Sequence, residues 1–361
     1  MIAMEHRLDA WMVLAAAAIL GTSLVTLHAV SPAIGLQMFF RQLVFGVVGL
    51  ILLLLLSRLH VTVYERLAPV AYGLALVALT AVLWLGKTKA GTRAWFALGP
   101  VTIQPSELAR LATALMVAAW LARRGGRALT IKEFVVVGAF VAAPMALILL
   151  EPDLGVALTY MPLIVAAYWL GSLPARTWAA LLVVAVLAGV WTWQVALKPY
   201  QKERVLTILD QERDPYGAGY QVRQSKIAVG SGRLVGQGLG RGSQSLLRFL
   251  PAQHTDFVFA AWAEATGFLG ATGLLLAYAL LLARIGMVAA TADSRHGMIL
   301  CALLGSWLAF QVVVNLGMVL GWLPTTGITL PLFSYGGSSL LACFAALGVV
   351  QSVWRFRLVY Q

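Results

Sequence analysis

Asp256 is the side chain in this sequence that is best placed to do chemistry. It follows Pro251 and His254 and comes directly before an apolar run that begins at Phe257. An ionised carboxylate can act as a general base, and burial raises its pKa whereas nearby arginines lower it. Asp256 is therefore the predicted base and His254 its rival, and alternation in an extended segment would point both side chains the same way. A carboxylate at a helix start can also be only a cap.

A second polar group, Gln104-Pro-Ser-Glu107 with Arg110, is typical of a helix N-terminus, because proline suits the first turn and serine and a carboxylate follow it. Glu107 and Arg110 are three residues apart and share a helix face. Two interpretations remain open. The pair is either structural, letting both charges enter the membrane, or functional, with Arg110 binding a phosphate while Glu107 orients it or holds a metal ion.

A third group, Glu151-Pro-Asp153-Leu-Gly155, predicts a tight turn between two helices. Asp153 is expected to cap the second helix, and Gly155 is expected to allow close helix packing. For this turn the structural interpretation is favoured over a catalytic one.

A long basic loop, about 197–257, separates two apolar stretches. It predicts an amphipathic surface segment from Lys198 to Leu209 and a short helix from Gln221 to Val229. Six glycines and two arginines follow between 230 and 242. Glycine lets backbone N–H groups turn toward an anion, so this stretch is either a flexible loop or one that binds pyrophosphate or gates the substrate.

These polar groups need a membrane scaffold to position them. Hydrophobic residues make up 61% of the chain and charged residues only 11%, against about 25% charged residues in ordinary soluble domains. A helix of about 20 mostly apolar residues crosses a bilayer. The sequence predicts an all-α polytopic membrane protein of one domain, residues 1–361, with about ten transmembrane helices. The predicted spans are 10–30, 40–57, 67–86, 106–122, 133–150, 154–171, 175–196, 257–283, 297–320 and 337–354.

The basic residues predict the orientation of the spans. Twelve arginines and lysines lie in the short connections and tails on the side of the termini, against four in the short connections opposite. By the positive-inside rule both termini are cytoplasmic, and the long loop between helices 7 and 8 is extracytoplasmic. The net charge of +12 suits anionic membrane lipid, and no nucleic-acid recognition motif accompanies it, so no nucleic-acid partner is expected.

In this orientation the polar residues gather at the outer ends of the spans, as expected for a single site on the outer face. They are Arg41, Arg93, Gln104, Glu107, Arg110, Glu151, Asp153 and Asp256, with Thr325, Thr326, Ser334, Tyr335, Ser338 and Ser339 in the loop after the ninth span. The predicted cytoplasmic loops hold only scattered arginines. Any chemistry is therefore predicted on the outer face.

Short strings spread over about 250 residues carry a family resemblance. They are Gly91-Thr-Arg93-Ala-Trp95, Gln104-Pro-Ser-Glu107, Pro152-Asp-Leu-Gly155, Tyr220-Gln221 with Ser225 and Ala228, Pro251-x-x-His254-Thr-Asp256-Phe257, Glu264-x-x-Gly267, and Asn315 through Pro324-x-x-Gly327-Ile-x-Leu-Pro331-x-x-Ser334-Tyr-Gly-Gly-Ser-Ser339. The set and its order resemble the shape, elongation, division and sporulation proteins, of which RodA and FtsW are the known types. Three positions depart from the usual pattern: Arg110 replaces a common lysine, Ala252 a glutamate and Glu151 a glutamine.

The resemblance implies a peptidoglycan glycosyltransferase that polymerises lipid II at the outer face of the bacterial cytoplasmic membrane, for cell elongation and rod shape. It implies a class B penicillin-binding protein as partner, with undecaprenyl-pyrophosphate-linked glycan and membrane lipid as further partners. The family's essential aspartate falls on Asp256. Its cavity-lining polar residues fall on Arg41, Arg93, Gln104, Glu107 and Arg110, and we add Asp153, His254 and Ser338 as substrate-binding residues. A divalent cation, Mg or Mn, is the one cofactor expected, and Glu107 and Asp256 could hold it.

Other functions also fit ten spans with a polar outer end. A lipid II flippase is one, although it would need polar residues along the whole crossing and has no need for a general base. A non-catalytic scaffold for the partner synthase is another, and it predicts that Asp256 is dispensable. Within the family, an FtsW-like division polymerase is the alternative to an elongation role.

Overall fold

A computed structural model describes residues 7–89, 91–99, 101–196, 202–203, 206–207 and 217–357. The described chain is a bundle of membrane-length helices with one small sheet. In chain order the helices are α1 (Ala10–Ala29), α2 (Ser31–Ile34), α3 (Leu36–Leu56), α4 (Val61–Leu85), α5 (Pro105–Ala122), α6 (Ile131–Leu150), α7 (Leu154–Leu158), α8 (Met161–Leu170), α9 (Ala175–Trp191), α10 (Ala218–Ser231), α11 (Ser243–Leu246), α12 (Val258–Ala290), α13 (Arg295–Val319) and α14 (Gly337–Arg355). The amphipathic segment predicted from Lys198 to Leu209 lies outside the described residues except at four positions.

Among the described residues, eight of the ten predicted crossings are helices long and apolar enough to span a membrane. The other two are α5 and the consecutive short helices α7 and α8, which together take the chain from Leu154 to Leu170. A hydrogen bond from Leu129 N to Gly171 O, 3.1 Å, joins the connections at the inner ends of these two crossings. An even number of crossings places both termini at one end of the bundle, which we call the inner end.

Helix α5 lies in the middle of the bundle, packed against α4, α13 and α14. Thirteen of its 18 residues are buried, including Glu107 and Arg110. Charged side chains are costly against lipid but are tolerated where they face protein. Burial inside the bundle therefore explains how this polar helix crosses the membrane. Helix α9 is the opposite case, since none of its residues is buried.

The glycine-rich stretch of the long loop packs on a break in α12. Gly267, inside that helix, has φ +67° and ψ −162°, which interrupts the helical path. A Cβ atom on Gly232 would lie 2.1 Å from the carbonyl oxygen of Ala263, and one on Gly236 would lie 2.2 Å from that of Ala265. Contacts this short exclude any side chain, so these glycines are required by close packing. The predicted short helix of this loop is confirmed as α10, somewhat longer than expected.

The connection between α13 and α14, residues 320–336, enters the bundle from the outer end without helix or strand structure. We call it the re-entrant segment. Gln42 Nε2 donates to Ser334 O at 3.1 Å, and the hydroxyl of Tyr278 donates to Pro331 O at 2.6 Å. Both donors belong to membrane-spanning helices. Irregular backbone is tolerated at this depth because the surrounding protein satisfies its carbonyl groups.

A small antiparallel sheet in the outer connection between α4 and α5 was not predicted. Its strands are β1 (Lys87–Lys89), β2 (Thr92–Leu98) and β3 (Val101–Ile103), in the order β1-β2-β3. Two of the strands are only three residues long, too short to stand out in a sequence of apolar helices. The third strand leads directly into α5 and fixes the start of that helix.

Candidate active site

Asp256 lies half-buried in the turn that leads into α12. The helix begins at Val258 with Phe257 as its N-cap, so Asp256 is not the cap of this helix. The predicted extended segment is wrong, because Thr255 N and Phe257 N both donate to the carbonyl of Ala252, at 3.1 and 3.3 Å, and close a tight turn. Ala252 has a left-handed φ of +47°, a conformation that is uncommon outside glycine and that the sequence did not indicate.

The side chain of Asp256 faces the re-entrant segment at Gly327. A Cβ atom on Gly327 would lie 3.8 Å from Asp256 Oδ2. The carbonyl of the preceding residue, Thr326, packs against Gly155, where a Cβ atom would lie only 2.1 Å away. Gly155 therefore allows the close packing that the sequence predicted. Asp256 and the turn that contains Asp153 both meet the same dipeptide, Thr326-Gly327.

Gln104, Asp153 and Ser338 form one hydrogen-bonded group beside this dipeptide. Gln104 Nε2 donates to Asp153 Oδ2 at 3.2 Å, and Gln104 N donates to Ser338 Oγ at 2.9 Å. Asp153 Oδ1 accepts from Val156 N at 3.0 Å, so Asp153 caps α7 as predicted. Burial raises the pKa of Asp153 above its ordinary value. The group joins the outer ends of α5, α7 and α14.

Glu107 and Arg110 form a buried ion pair on α5, as their spacing predicts. Arg110 Nη1 lies 3.2 Å from Glu107 Oε2, and the Arg110 side chain has no exposed surface. The guanidinium carbon of Arg110 lies 4.9 Å from the centre of the Trp307 ring and 5.7 Å from that of Tyr160. Nε and Nη2 of Arg110 have no hydrogen-bond partner among the described residues. These two nitrogen atoms of a fixed cation are therefore without a protein partner in the described chain, and guanidinium donors of this kind form strong hydrogen bonds with phosphate oxygens.

Trp307 and Tyr160 were not predicted as site residues. In apolar spans, aromatic side chains at helical spacing resemble ordinary packing residues, so the sequence gave no signal for this stacking. Arginine suits this position, since a planar guanidinium both stacks on aromatic rings and attracts their faces as a cation.

Glu151 is fully buried in the turn between α6 and α7. Neither of its carboxylate oxygens has a hydrogen-bond partner within the described part of the chain. Burial, and then the neighbouring Asp153, raises the pKa of Glu151 to about 8. The side chain is therefore mostly protonated at neutral pH. Glutamine is a neutral residue of the same shape.

Glu151→Gln is expected to stabilise the protein increasingly as the pH rises from about 5 to about 8. The pKa of Glu151 rises from 4.5 to about 8 on folding, so the folded state binds the proton more tightly than the unfolded state. Stability of the wild type must then fall with pH across this window, and glutamine removes that loss. Melting temperatures of both proteins, measured at a series of pH values, check the prediction. The curves should coincide at about pH 4 and separate up to about pH 8, whereas parallel curves would contradict it.

Arg41 and Arg93 do not join the group around Asp153. Arg41 is exposed on α3. Arg93, on β2, donates from Nε to Gly86 O at 3.0 Å and from Nη1 to Leu83 O at 3.3 Å, where it satisfies carbonyls at the C-terminal end of α4. These bonds give Arg93 a structural role. A cationic side chain is favoured at a helix C-terminus, where it meets unpaired carbonyls and the negative end of the helix dipole. Substrate binding by either arginine stays a prediction.

His254, the rival base, lies close to Asp256 in the same turn and is half-buried. Its ring centre is 5.9 Å from that of Tyr335. Burial lowers the pKa of His254, so the imidazole is mostly neutral at neutral pH. A neutral imidazole can accept a proton, and His254 is therefore retained as the alternative base.

The predicted divalent cation finds no ready set of ligands among the described residues. No three His, Cys, Asp or Glu side chains in the described ranges converge as metal ligands. Glu107, one of the two expected ligands, directs Oε2 to Arg110. The cation stays a prediction.

Comparison with known proteins gives concordant results. The family model for the cell cycle proteins FtsW, RodA and SpoVE matches residues 6–358. Peptidoglycan glycosyltransferase MrdB of Escherichia coli (strain K12) is 38% identical over 312 residues, which cover 86% of this chain and 83% of MrdB. A probable peptidoglycan glycosyltransferase FtsW of Nitrosococcus halophilus (strain Nc4) is 36% identical over 358 residues, which cover 96% of this chain and 92% of that protein.

Solved structures share the fold over nearly the whole chain. A chain from the structure described as "Structural coordination of polymerization and crosslinking by a peptidoglycan synthase complex" is 37% identical, with a TM-score of 0.84 and coverage of 97% of this chain and 98% of that one. The rod shape determining protein RodA of Thermus thermophilus is 34% identical, with a TM-score of 0.73 and 98% coverage of both chains. The multi-pass fold, the outer polar site and the match from residue 6 to residue 358 lead to one conclusion: the chain belongs to the FtsW, RodA and SpoVE family of cell cycle proteins.

Proposed function

We propose that this protein is a peptidoglycan glycosyltransferase that polymerises lipid II into glycan strands at the outer face of the bacterial cytoplasmic membrane. The position of Asp256 carries the proposal. Its carboxylate is half-buried, is not the cap of α12 and faces Gly327 at the outer end of the bundle. The E. coli relative is named a peptidoglycan glycosyltransferase, and the N. halophilus relative a probable one.

In the proposed reaction Asp256 is the general base. It accepts the proton from the GlcNAc 4-hydroxyl of an incoming lipid II while that oxygen attacks the anomeric carbon of the growing chain. The bond between the anomeric carbon and the pyrophosphate oxygen breaks, and the anomeric centre inverts. Undecaprenyl pyrophosphate leaves with the bonding electrons.

Negative charge that develops on the leaving pyrophosphate needs a fixed cation. Arg110 is held by Glu107 and by two aromatic rings, and it keeps Nε and Nη2 without a protein partner among the described residues. We assign it the role of binding this phosphate. A buried guanidinium that is already oriented loses little conformational freedom when the charge appears.

The proposal includes a class B penicillin-binding protein as partner, which cross-links the new glycan. One solved relative supports this pairing. Its structure is described as one of a peptidoglycan synthase complex that coordinates polymerization and crosslinking. Co-purification of the two membrane proteins from one membrane extract tests the pairing. Failure to form a complex at the concentrations that support polymerisation would contradict it.

Polymerisation of lipid II by the purified protein, alone and with the class B partner, tests the proposed function. Glycan strands are expected whenever this protein is present, and the partner without it serves as the control. The same reaction with a chelator tests the predicted divalent cation. Movement of lipid II across vesicle membranes without any glycan product would favour the flippase instead.

A further inference from the structure

The turn that carries Asp256 is held by its backbone carbonyls. Three consecutive carbonyl groups each accept a hydrogen bond from α13 or from the re-entrant segment. The bonds run from Tyr335 N to His254 O (2.8 Å), from Ser334 Oγ to Thr255 O (2.6 Å) and from Asn315 Nδ2 to Asp256 O (3.0 Å).

Asn315 ties two backbone segments together through one amide group. Its Nδ2 atom donates to Asp256 O and also to Ile328 O, at 2.8 Å, and the side chain is fully buried on α13. Ile328 follows Gly327, the residue that the carboxylate of Asp256 faces. Asn315 therefore sets the distance between the backbone of Asp256 and the re-entrant segment that the carboxylate of Asp256 faces.

Ser334 makes a second such link. Its hydroxyl donates to Thr255 O and accepts from Leu330 N at 2.8 Å, and the side chain is 4% exposed. The hydroxyl thus joins the turn before α12 to the re-entrant segment and also closes a turn within that segment. The hydroxyl therefore serves as a donor and as an acceptor at once.

We propose that Asn315 and Ser334 are positioning residues of the glycosyltransferase reaction, which aim the carboxylate of Asp256 by fixing its backbone. The inference rests on the proposed function. The turn has no helix or strand pairing of its own, and these bonds join it to α13 and to the re-entrant segment. A displacement of about 1 Å in a reacting group can lower a rate by about 10²-fold, and both residues bind backbone carbonyls of the turn.

Ser334→Ala is the first test, with Ser352→Ala as the matched control. Ser352 is also a buried serine, and its hydroxyl donates to Leu59 O at 2.5 Å at the inner end of the bundle, so both changes remove a buried hydroxyl bond to a carbonyl. We expect Ser334→Ala to lower kcat by about 10- to 100-fold while KM for lipid II stays near the wild-type value. Ser352→Ala should lower the melting temperature to a similar extent and leave kcat unchanged.

Two further variants separate the hydrogen bond from packing. Ser334→Thr keeps the hydroxyl and should restore most of kcat. Asn315→Asp keeps the shape of the side chain but replaces its NH2 donor by an acceptor beside two carbonyls, so kcat should fall at least as far as in Ser334→Ala. Equal kcat values for Ser334→Ala and Ser352→Ala, or an effect on KM alone, would overturn the assignment.

Hydrogen exchange gives a readout that does not depend on activity. Backbone amides from about 252 to 260 should exchange faster in Ser334→Ala than in the wild type, and at the wild-type rate in Ser352→Ala. Unchanged exchange in Ser334→Ala would overturn the proposal. If the wild type made no glycan, the proposed function would fail, and the exchange data would still decide whether these bonds hold the turn.

Discussion

Asp256→Asn is expected to lower the rate of lipid II polymerisation by about 10²–10⁴-fold and to leave the melting temperature near that of the wild type. Asparagine has the shape of aspartate but cannot accept a proton at neutral pH. The bond from Asn315 is retained because it is made to the backbone carbonyl of residue 256. No helix cap is lost, since the N-cap of α12 is Phe257. Initial rates of glycan formation and melting temperatures from the same preparations check the prediction.

Asp293→Asn is the matched control for this variant. Asp293 is an exposed aspartate in the connection between α12 and α13, at the inner end, so the change removes one carboxylate far from the site. It should polymerise lipid II at the wild-type rate. Asp256→Glu, which keeps a carboxylate but moves it by about 1 Å, should give an intermediate rate.

A near-normal rate in Asp256→Asn would remove the base assignment. His254 would then be the leading base, because burial keeps its imidazole mostly neutral and able to accept a proton. His254→Gln would have to lose activity in that case. If Asp256 is the base, His254→Gln should affect the rate less than Asp256→Asn does.

The parts of this site that follow from local sequence were predicted correctly. Eight crossings follow from apolar runs of sufficient length, and the Glu107–Arg110 pair follows from a spacing of three on one helix face. Asp153 caps α7 because an aspartate before a helix accepts a hydrogen bond from an amide of its first turn. Each of these features depends on residues that are close in the chain, which is why a single sequence indicates them.

The features that the sequence did not indicate depend on contacts between distant segments. The left-handed conformation of Ala252 turns the approach to Asp256 away from the expected extended path. The glycine-rich stretch is shaped by contact with the broken helix α12, a contact that neither a flexible loop nor an anion-binding loop implied. The sequence gives no signal for the contacts of Asn315, because its amide group donates to carbonyls of two segments that are distant in the chain.

Removal of the charge of Arg110 alone is expected to destabilise the protein by about 3–5 kcal/mol. In Arg110→Met the carboxylate of Glu107, whose side chain is 6% exposed, would be left without its cation. The double variant Glu107→Gln, Arg110→Met removes both charges and should recover most of the lost stability, since a buried ion pair is often replaced by uncharged residues without loss. Melting temperatures and the fraction of monodisperse protein in detergent measure both effects.

The double variant also decides between the two interpretations of the pair. If Arg110 binds the leaving phosphate, the stable double variant should fold and yet lose polymerisation, because Nε and Nη2 are no longer there to meet the developing charge. Arg110→Lys keeps a cation beside Glu107 but loses bidentate donation and the aromatic stacking on Trp307, so it should fold and polymerise at a reduced rate. A double variant that polymerised at the wild-type rate would show that the pair only carries α5 through the membrane, and the cation for the leaving group would then have to come from elsewhere on the outer face.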